Sequence, residues 1–168
     1  MARLRSTNTD VEGFLANLDA VTPGWDRGLS TAVVLGAGGG ARAVVYALVT
    51  REVGRIYVIN RTKEKAQALR KKFGSAVQVA GWDETTGCFG DAGLLVNTTT
   101  LGMVGQPPLD LNLRCPASMV VADIVYAPLV TGLLASAARV DCVRPTDSAC
   151  YCARRFVVLS SGSELDQR

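Results

Sequence analysis

The segment Ala32–Arg42 constrains the fold of this chain more than any other: Ala-Val-Val-Leu-Gly-Ala-Gly-Gly-Gly-Ala-Arg. A short run of β-branched and aliphatic residues ends in a glycine cluster, and a helical pattern follows at once. Gly36 allows a tight turn, Gly38 lets the backbone approach an anion, and Ala41 lets the helix pack closely on the strand. The free N–H groups and the positive helix end suit the diphosphate of a dinucleotide. Because glycine clusters also form ordinary loops, support for a turn that binds a dinucleotide must come from the strand that follows.

That next strand is Arg55–Ile59, and its end carries no acidic residue. NAD-binding units usually place Asp or Glu there, about 20 residues after the glycines, to accept the ribose 2′-hydroxyl. Here Asn60 and Thr62 offer neutral hydrogen bonds, while Arg61 and Lys65 supply positive charge that suits a phosphate. We therefore interpret this segment as a clamp for the 2′-phosphate of NADP(H). The alternative is a solvated helix start, but basic residues at a helix N-terminus oppose the helix dipole.

Composition excludes several classes of protein. A chain of 168 residues can form one domain with a sizeable core, and its 48% hydrophobic and 20% charged residues are typical of globular proteins. The net charge of +3 is too small to indicate a nucleic-acid partner. We see no apolar run of membrane-spanning length and no signal-peptide core, so we expect a cytoplasmic protein without a membrane partner.

The side chains available for catalysis and metal binding are also restricted. The chain has no histidine, which removes Ser-His-Asp and Cys-His catalysis and most zinc sites. Its five cysteines, an odd number without a secretion signal, are predicted to be free thiols. The spacing of Cys142, Cys150 and Cys152 fits no zinc pattern, so we expect no metal.

Strands alternate with helices along the chain. The predicted elements are a helix at Val11–Leu18, a strand–glycine–helix unit from Thr31 to about Val53, a strand at Arg55–Ile59, a helix at Lys63–Phe73 closed by Gly74, strands at Ala76–Ala80, Ala92–Asn97 and Met119–Asp123, and a helix at Pro128–Ala138. This order predicts an α/β fold: a Rossmann-type doubly wound parallel sheet with helices on both faces.

Five separated motifs resemble one family, in the family's order. They are Asn8-Thr9-Asp10 with Gly13-Phe14, the run Gly36–Ala43, Asn60-Arg61-Thr62, Asn97-Thr98-Thr99 with Leu101-Gly102-Met103, and Asp123 with Tyr126, Pro128, Thr131 and Leu133-Leu134. Together they resemble shikimate dehydrogenase over roughly residues 7–138. Members of this family reduce 3-dehydroshikimate to shikimate with NADPH, in the synthesis of aromatic amino acids.

The resemblance implies a role for each matching residue. The diphosphate would lie on Gly36, Ala37, Gly38, Gly39, Gly40 and Ala41, and the 2′-phosphate on Asn60, Arg61, Thr62 and Lys65. Thr98, Thr99 and Ile124 would line the path from adenosine to nicotinamide. Tyr126 would reach the substrate, and Asp10 matches the catalytic aspartate, which works beside a lysine of another domain to handle the proton.

Structural explanations stay open for several of these residues. Thr9 and Glu12 are spaced as a capping box, so Asp10 could simply favour the start of its helix. Asn97 and the threonines after it could end a strand, and Tyr126 could pack against the following helix.

The chain departs from the family at both ends. No lysine precedes Asp10, and we expect the family's substrate-binding domain to be absent. Near the other end Ser148 stands where an Asp-Gly turn needs glycine, and Gln167 comes too late for the family's substrate-binding glutamine. A shifted reading frame would explain this: one codon string for Ala153–Gly162, read from its third base, gives Gln-Ala-Val-Arg-Gly-Phe-Glu-Leu-Trp.

These observations predict three regions: a helical lead-in at 1–30, an NADP-binding domain at 31–140 and an aberrant tail at 141–168. The expected function is that of shikimate dehydrogenase, with a chain that binds NADP(H) but is nearly inactive alone. Two alternatives stay open: a non-catalytic NADP-binding module, and the cofactor domain of a quinate-type dehydrogenase. The sequence gives no prediction of oligomeric state.

Overall fold

A computed structural model of the chain describes residues 9–111, 116, 118–139 and 156–158. The helices are α1 (Thr9–Val21), α2 (Gly39–Thr50), α3 (Lys63–Phe73) and α4 (Gly132–Arg139), with a 3₁₀ segment at Trp82–Phe89. The strands are β1 (Thr31–Leu35), β2 (Arg55–Ile59), β3 (Val77–Ala80), β4 (Leu94–Asn97), β5 (Val120–Asp123) and β6 (Phe156–Val158).

The six strands form one parallel sheet in the order β3-β2-β1-β4-β5-β6. This is the strand order of the Rossmann fold, with its reversal point between β1 and β4. In register, Leu35 at the end of β1 pairs with Ile59 on one side and Asn97 on the other, and Asn97 pairs with Asp123. The carboxyl ends of four strands therefore meet at one edge of the sheet, where such folds bind ligands.

Helices cover both faces of the sheet, as predicted. One core cluster joins the sheet to α1, α2 and α3 and contains Leu18, Leu48 and Leu69. A second joins the other face to the 3₁₀ segment and α4 and contains Phe89 and Leu133. Burial of each large apolar side chain contributes roughly 1.5–3 kcal/mol, which explains why the strands are apolar on both faces.

An ion-pair cluster joins the lead-in helix to the rest of the domain. The guanidinium of Arg51, just after α2, lies 2.5 Å from a carboxylate oxygen of Asp19 in α1 and 2.5 Å from one of Asp26. Asp19 also accepts a 2.9 Å hydrogen bond from the indole of Trp25, over whose ring the guanidinium lies at 5.8 Å. Within the described residues, the lead-in thus packs as part of the domain.

The element boundaries match the predictions closely, with one clear error. β2 and α3 have the predicted bounds, and Gly74 ends α3 with a φ of 88°. The helix predicted at Pro128–Ala138 instead begins at Gly132, so its predicted start was wrong. Thr131 supplies the reason, because its hydroxyl oxygen accepts from the N–H of Leu134 at 3.4 Å and so caps the helix.

Two elements were not predicted. The 3₁₀ segment Trp82–Phe89 is short and lacks an apolar repeat of helical period, so its sequence does not predict a helix. β6 lies in the region predicted to be an aberrant tail and pairs in parallel with β5, Val121 opposite Phe156. The other residues of 141–168, with Cys142, Cys150, Cys152 and Gln167 among them, lie outside the described residues.

The predicted free thiols can be examined at one position. Cys88 is a buried free cysteine, and burial raises the pKa of its thiol, with the carboxylates of Glu84 and Asp91 acting in the same direction. A raised pKa keeps the thiol protonated and unreactive. Across the part of the chain that is described, no helix is long and apolar enough to cross a membrane. The same residues contain no group of three potential metal ligands among His, Cys, Asp and Glu.

Candidate dinucleotide-binding site

The glycine turn links the end of β1 to α2 at the centre of the sheet edge. Gly36 has a φ of +103°, and a Cβ added there would lie 2.7 Å from the hydroxyl oxygen of Thr98. Both its conformation and its surroundings therefore require glycine. Around Gly38 and Gly39 an added Cβ would meet no atom within 4 Å, so this side of the turn is open. Ala41 is fully buried against the sheet, as its place in the motif predicts.

The opposite side of the turn is tightly packed. The hydroxyl of Thr98 donates to the carbonyl oxygen of Leu35 at 2.6 Å, which ties the end of β4 to the end of β1. A Cβ on Gly40 would lie 2.8 Å from Cδ1 of Ile124, so the isoleucine packs directly on the start of α2. The structure thus brings Gly36, Gly40, Thr98 and Ile124 together.

A cleft of about 640 Å³ opens from the turn along the space between α2 and α3. We call it the basic cleft. Its residues come from the glycine turn, from α2, from the end of β2 and from one face of α3: Ala37, Gly38, Gly39, Arg42, Asn60, Lys65, Ala68, Leu69 and Lys72. Among the described residues, the lining contains three cationic side chains and no carboxylate.

The predicted phosphate clamp divides between this cleft and its rim. Asn60 and Lys65 line the cleft, whereas Arg61 and Thr62 are exposed beside it. The amide nitrogen of Asn60 donates to the carbonyl oxygen of Thr62 at 2.8 Å. One of the two amide hydrogens of Asn60 is thus engaged, and its side-chain oxygen can accept a hydrogen bond from a ribose hydroxyl.

A buried polar network lies at the ends of β4 and β5. Asn97, Asp123 and Thr131 are each at most 1% exposed. Asp123 accepts hydrogen bonds from the Asn97 amide (3.0 Å), the backbone N–H of Val125 (3.0 Å) and the Thr131 hydroxyl (2.7 Å). The oxygen of Asn97 in turn accepts from the backbone N–H (3.0 Å) and hydroxyl (2.7 Å) of Thr99. The network therefore fixes the two loops that leave these strands.

Burial raises the pKa of the Asp123 carboxyl, while its three hydrogen-bond donors act in the opposite direction. A buried carboxyl group with matched donors is typical of a structural anchor at a site edge. β4 ends at Asn97, in agreement with the alternative that these residues terminate a strand. The hydrogen bonds between Asn97 and Thr99 also orient the loop that follows.

Asp10 and Tyr126 lie away from the basic cleft. Asp10 is exposed in the first turn of α1, and Asn8 of the same motif lies outside the described residues. Tyr126 is 56% exposed on the loop that the Asp123 network fixes. Neither side chain forms a hydrogen bond or ion pair within the described residues, so both are available to groups outside the domain.

Sequence reasoning did not single out two cations of the basic cleft, Arg42 and Lys72. The signal was present in the sequence. Arg42 directly follows Ala41 of the glycine motif, and Lys72 is seven residues after Lys65, which is two turns along the same face of α3. The role of Asp123 was likewise missed, although a carboxylate that ends an apolar strand calls for a partner.

The strand order, the glycine turn at the end of β1 and the open cleft that extends from this turn define a Rossmann-type dinucleotide-binding domain. Residues 26–102 match the family described as Shikimate / quinate 5-dehydrogenase. The chain is similar to this family over that segment.

Curated relatives have high sequence identity to the chain. The shikimate dehydrogenase (NADP(+)) of Nitrobacter hamburgensis is 58% identical over 135 residues, which are 80% of this chain and 47% of that protein. The enzyme of the same name from Nitrobacter winogradskyi is 56% identical over 147 residues, 87% of this chain and 52% of that protein. The chain therefore spans about half the length of the curated relatives it matches.

Solved structures match the fold as well. Quinate dehydrogenase from Corynebacterium glutamicum, in complex with NAD, superposes with a TM-score of 0.71 at 33% identity, over 79% of this chain and 48% of that one. Shikimate 5-dehydrogenase from Thermus thermophilus, in complex with NADP(H) and shikimate, gives a TM-score of 0.61 at 35% identity, over 78% and 47% of the two chains.

Proposed function

We propose that this chain is the NADP(H)-binding part of a shikimate dehydrogenase. The observation that carries the proposal is the basic cleft, which has three cations and no carboxylate beside an open glycine turn. The names of the curated relatives support the substrate and the cofactor. The matched segment is about half the length of these curated relatives. The oxidation of shikimate and the reduction of 3-dehydroshikimate are therefore proposed for a whole protein of that length, and not for this segment alone.

The choice of NADP over NAD follows from the side chains of this chain. The two structural relatives described above were solved with different cofactors, one with NAD and one with NADP(H). An NAD site usually has a carboxylate that accepts the ribose 2′-hydroxyl, and the described residues of the cleft lining offer none. Arginine and lysine favour a 2′-phosphate instead, because each adds a charge-assisted hydrogen bond to a dianion.

The residues of the chain fit a dinucleotide whose diphosphate lies at the glycine turn and whose adenosine ribose lies at the end of β2. The open face of Gly38 and Gly39 leaves room for a diphosphate against the N-terminus of α2. Asn60 and Lys65 bind the adenosine ribose and its phosphate. Thr98 and Ile124, packed beside the turn, form the wall along which the rest of the dinucleotide extends toward β5. Bound NADP(H) supplies or accepts a hydride at the nicotinamide ring.

The proposed substrate-facing groups are Tyr126 and Asp10. The Asp123 network holds the loop of Tyr126 while the phenol stays exposed, so the hydroxyl can donate to a substrate oxygen. Asp10 presents an exposed carboxylate at the start of α1 that can orient the group that gives a proton to the forming alkoxide.

A quinate-type dehydrogenase is the second candidate, because the structural match to quinate dehydrogenase has a TM-score of 0.71. In that case the cofactor domain serves a related cyclic hydroxy acid. Activity assays of the whole protein with shikimate and quinate in parallel distinguish the two substrates.

The test of the cofactor assignment is a titration of the 168-residue chain with NADP⁺ and NAD⁺, followed by the rise in melting temperature. We expect NADP⁺ to stabilise the chain well beyond NAD⁺, because a ligand that binds only the folded state raises stability with its affinity. Equal stabilisation would contradict the phosphate assignment. If neither cofactor raised the melting temperature, the proposed binding site would not form in this chain, and the proposal would be wrong.

A further inference from the structure

Arg42 lines the basic cleft, but the resemblance described above gives it no role in binding. It lies in the first turn of α2, where its backbone N–H donates to the carbonyl oxygen of Gly38 at 3.1 Å. Lys65 lies in the first turn of α3, where its N–H donates to Thr62 at 3.2 Å. Both helices begin at the carboxyl edge of the sheet, and both side chains line the same cleft. At the carboxyl edge of the sheet, the cleft therefore has one cation on α2 and one on α3.

These cations have no carboxylate partner within the described residues. The ion pairs found there engage Arg51, Arg55 and Lys63. Lys63, two residues before Lys65, is 3.7 Å from the Glu84 carboxylate and so is directed away from the cleft. Since none of these ion pairs includes Arg42, Lys65 or Lys72, the charge in the cleft stays available for a ligand.

The third cation, Lys72, is exposed near the opposite end of α3 from Lys65. It is seven residues after Lys65 on the same face of α3, about 10 Å further along the helix. Its ammonium nitrogen is 5.3 Å from the centre of the Phe73 ring, a distance that permits a cation–π contact. At this distance from Lys65, Lys72 acts on an anion held by Arg42 and Lys65 mainly through longer-range attraction.

We propose that Arg42 is a specificity-determining residue that binds the 2′-phosphate from the α2 wall opposite Lys65, with Lys72 adding long-range attraction. This proposal rests on the proposed function. The ligand chemistry is a phosphomonoester dianion, for which a guanidinium offers a two-pronged contact and an ammonium a point charge. Selectivity for the phosphorylated cofactor is then shared by two helices and does not depend on the loop after β2 alone.

The experiment compares four variants of the 168-residue chain: Arg42→Gln, Arg42→Lys, Lys72→Gln and Lys71→Gln. Lys71 is the matched control, because it lies next to Lys72 on α3 and removes the same charge without lining the cleft. Each variant is titrated with NADP⁺ and NAD⁺, and with adenosine 2′,5′-bisphosphate and AMP as probes that isolate the phosphate. Inorganic phosphate is added as a competitor of the bisphosphate. Strong competition indicates a general anion site, and weak competition indicates a site that also requires the nucleoside.

Arg42→Gln is expected to weaken binding of NADP⁺ and of the bisphosphate about tenfold, since a lost charge-assisted hydrogen bond has that size. Binding of NAD⁺ and AMP should change less than about twofold, because neither carries the 2′-phosphate. Arg42→Lys should lie between, and Lys72→Gln should give about a threefold loss that disappears at high salt. Lys71→Gln should match the unsubstituted chain.

Three results would overturn the inference while leaving the proposed function intact. In the first, the unsubstituted chain prefers NADP⁺ and Arg42→Gln does not alter the preference. In the second, Arg42→Gln weakens NADP⁺ and NAD⁺ equally, which would place Arg42 on the diphosphate. In the third, Lys71→Gln has the same effect as Arg42→Gln, so that only net charge matters. A chain without any preference for NADP⁺ would instead contradict the proposed function.

Discussion

The Asn97 amide donates a 3.0 Å hydrogen bond to the Asp123 carboxylate across the paired ends of β4 and β5, and neither side chain is exposed to solvent. The two residues are also direct partners in the register of the sheet. Each continues into a loop that borders the proposed site, one through Thr98 and Thr99 and the other through Tyr126. A single contact therefore joins the loop of Thr98 and Thr99 to the loop that carries Tyr126.

We expect the Asp123→Asn variant to change the pH dependence of stability. Burial raises the pKa of Asp123 above its value in the unfolded chain, so between the two pKa values the folded state binds more protons. The free energy of unfolding of the unsubstituted chain should therefore fall as the pH rises from about 4 through the folded pKa, then level off. Urea denaturation at a series of pH values measures this, and the variant should lack that component.

Asp123→Ala provides the comparison for this prediction. It leaves the Asn97 amide, the Val125 N–H and the Thr131 hydroxyl without their acceptor, which should cost about 3 kcal/mol at neutral pH. An Asp123→Asn variant with the same pH slope as the unsubstituted chain would refute the role given to the carboxyl group.

Gly36 and Gly39 should respond to alanine in opposite ways. Gly36→Ala forces a side chain into a φ of +103° and against Thr98, so the free energy of unfolding should drop by about 1–3 kcal/mol. Gly39→Ala meets open space in the first turn of α2, so stability should be unchanged or rise by up to about 1 kcal/mol. Its methyl group nevertheless occupies the space proposed for the diphosphate, so affinity for NADP⁺ should fall. Denaturation and cofactor titration on the same samples separate the two effects.

The Arg51 cluster should stabilise the packing of α1 against α2. Arg51→Ala is expected to lower the free energy of unfolding by about 1 kcal/mol, a modest figure because the side chains are partly exposed and screened by solvent. Arg51→Lys keeps the charge but cannot contact Asp19 and Asp26 in the same forked geometry, so it should recover only part of the loss. Full recovery by lysine would mean that charge alone, and not the fork, holds the cluster.

The coding sequence tests the proposal that 141–168 is a frame-shifted tail. The proposal requires codons for Ala153–Gly162 that give Gln-Ala-Val-Arg-Gly-Phe-Glu-Leu-Trp when read from the third base of the first codon. Sequencing of this stretch of DNA decides it. Codons that yield no such ending in a shifted frame would rule the proposal out.

The sequence predicted the central sheet and the glycine turn well because local patterns determine them. β2 and α3 could be located to the residue, since an apolar run and a capped polar helix carry strong signals. The start of α4 was misplaced because Pro128 resembles a first-turn proline, while the actual cap, Thr131, shares its hydroxyl between the helix and Asp123. The basic cleft was missed because Arg42 and Lys72 lie on two different helices, and the motifs do not show that both helices line one cleft.

The matched donors and acceptors around Asp123 have a kinetic consequence. Since Thr99 bonds to Asn97, and Asn97 and Thr131 both bond to Asp123, the loops at this edge hold their shape in the chain without a ligand. An arriving dinucleotide then meets a wall that needs no rearrangement, so its association rate should be governed by diffusion and by the salt-dependent attraction of the cleft. Differences in affinity among variants of the wall should accordingly appear in how long the ligand stays.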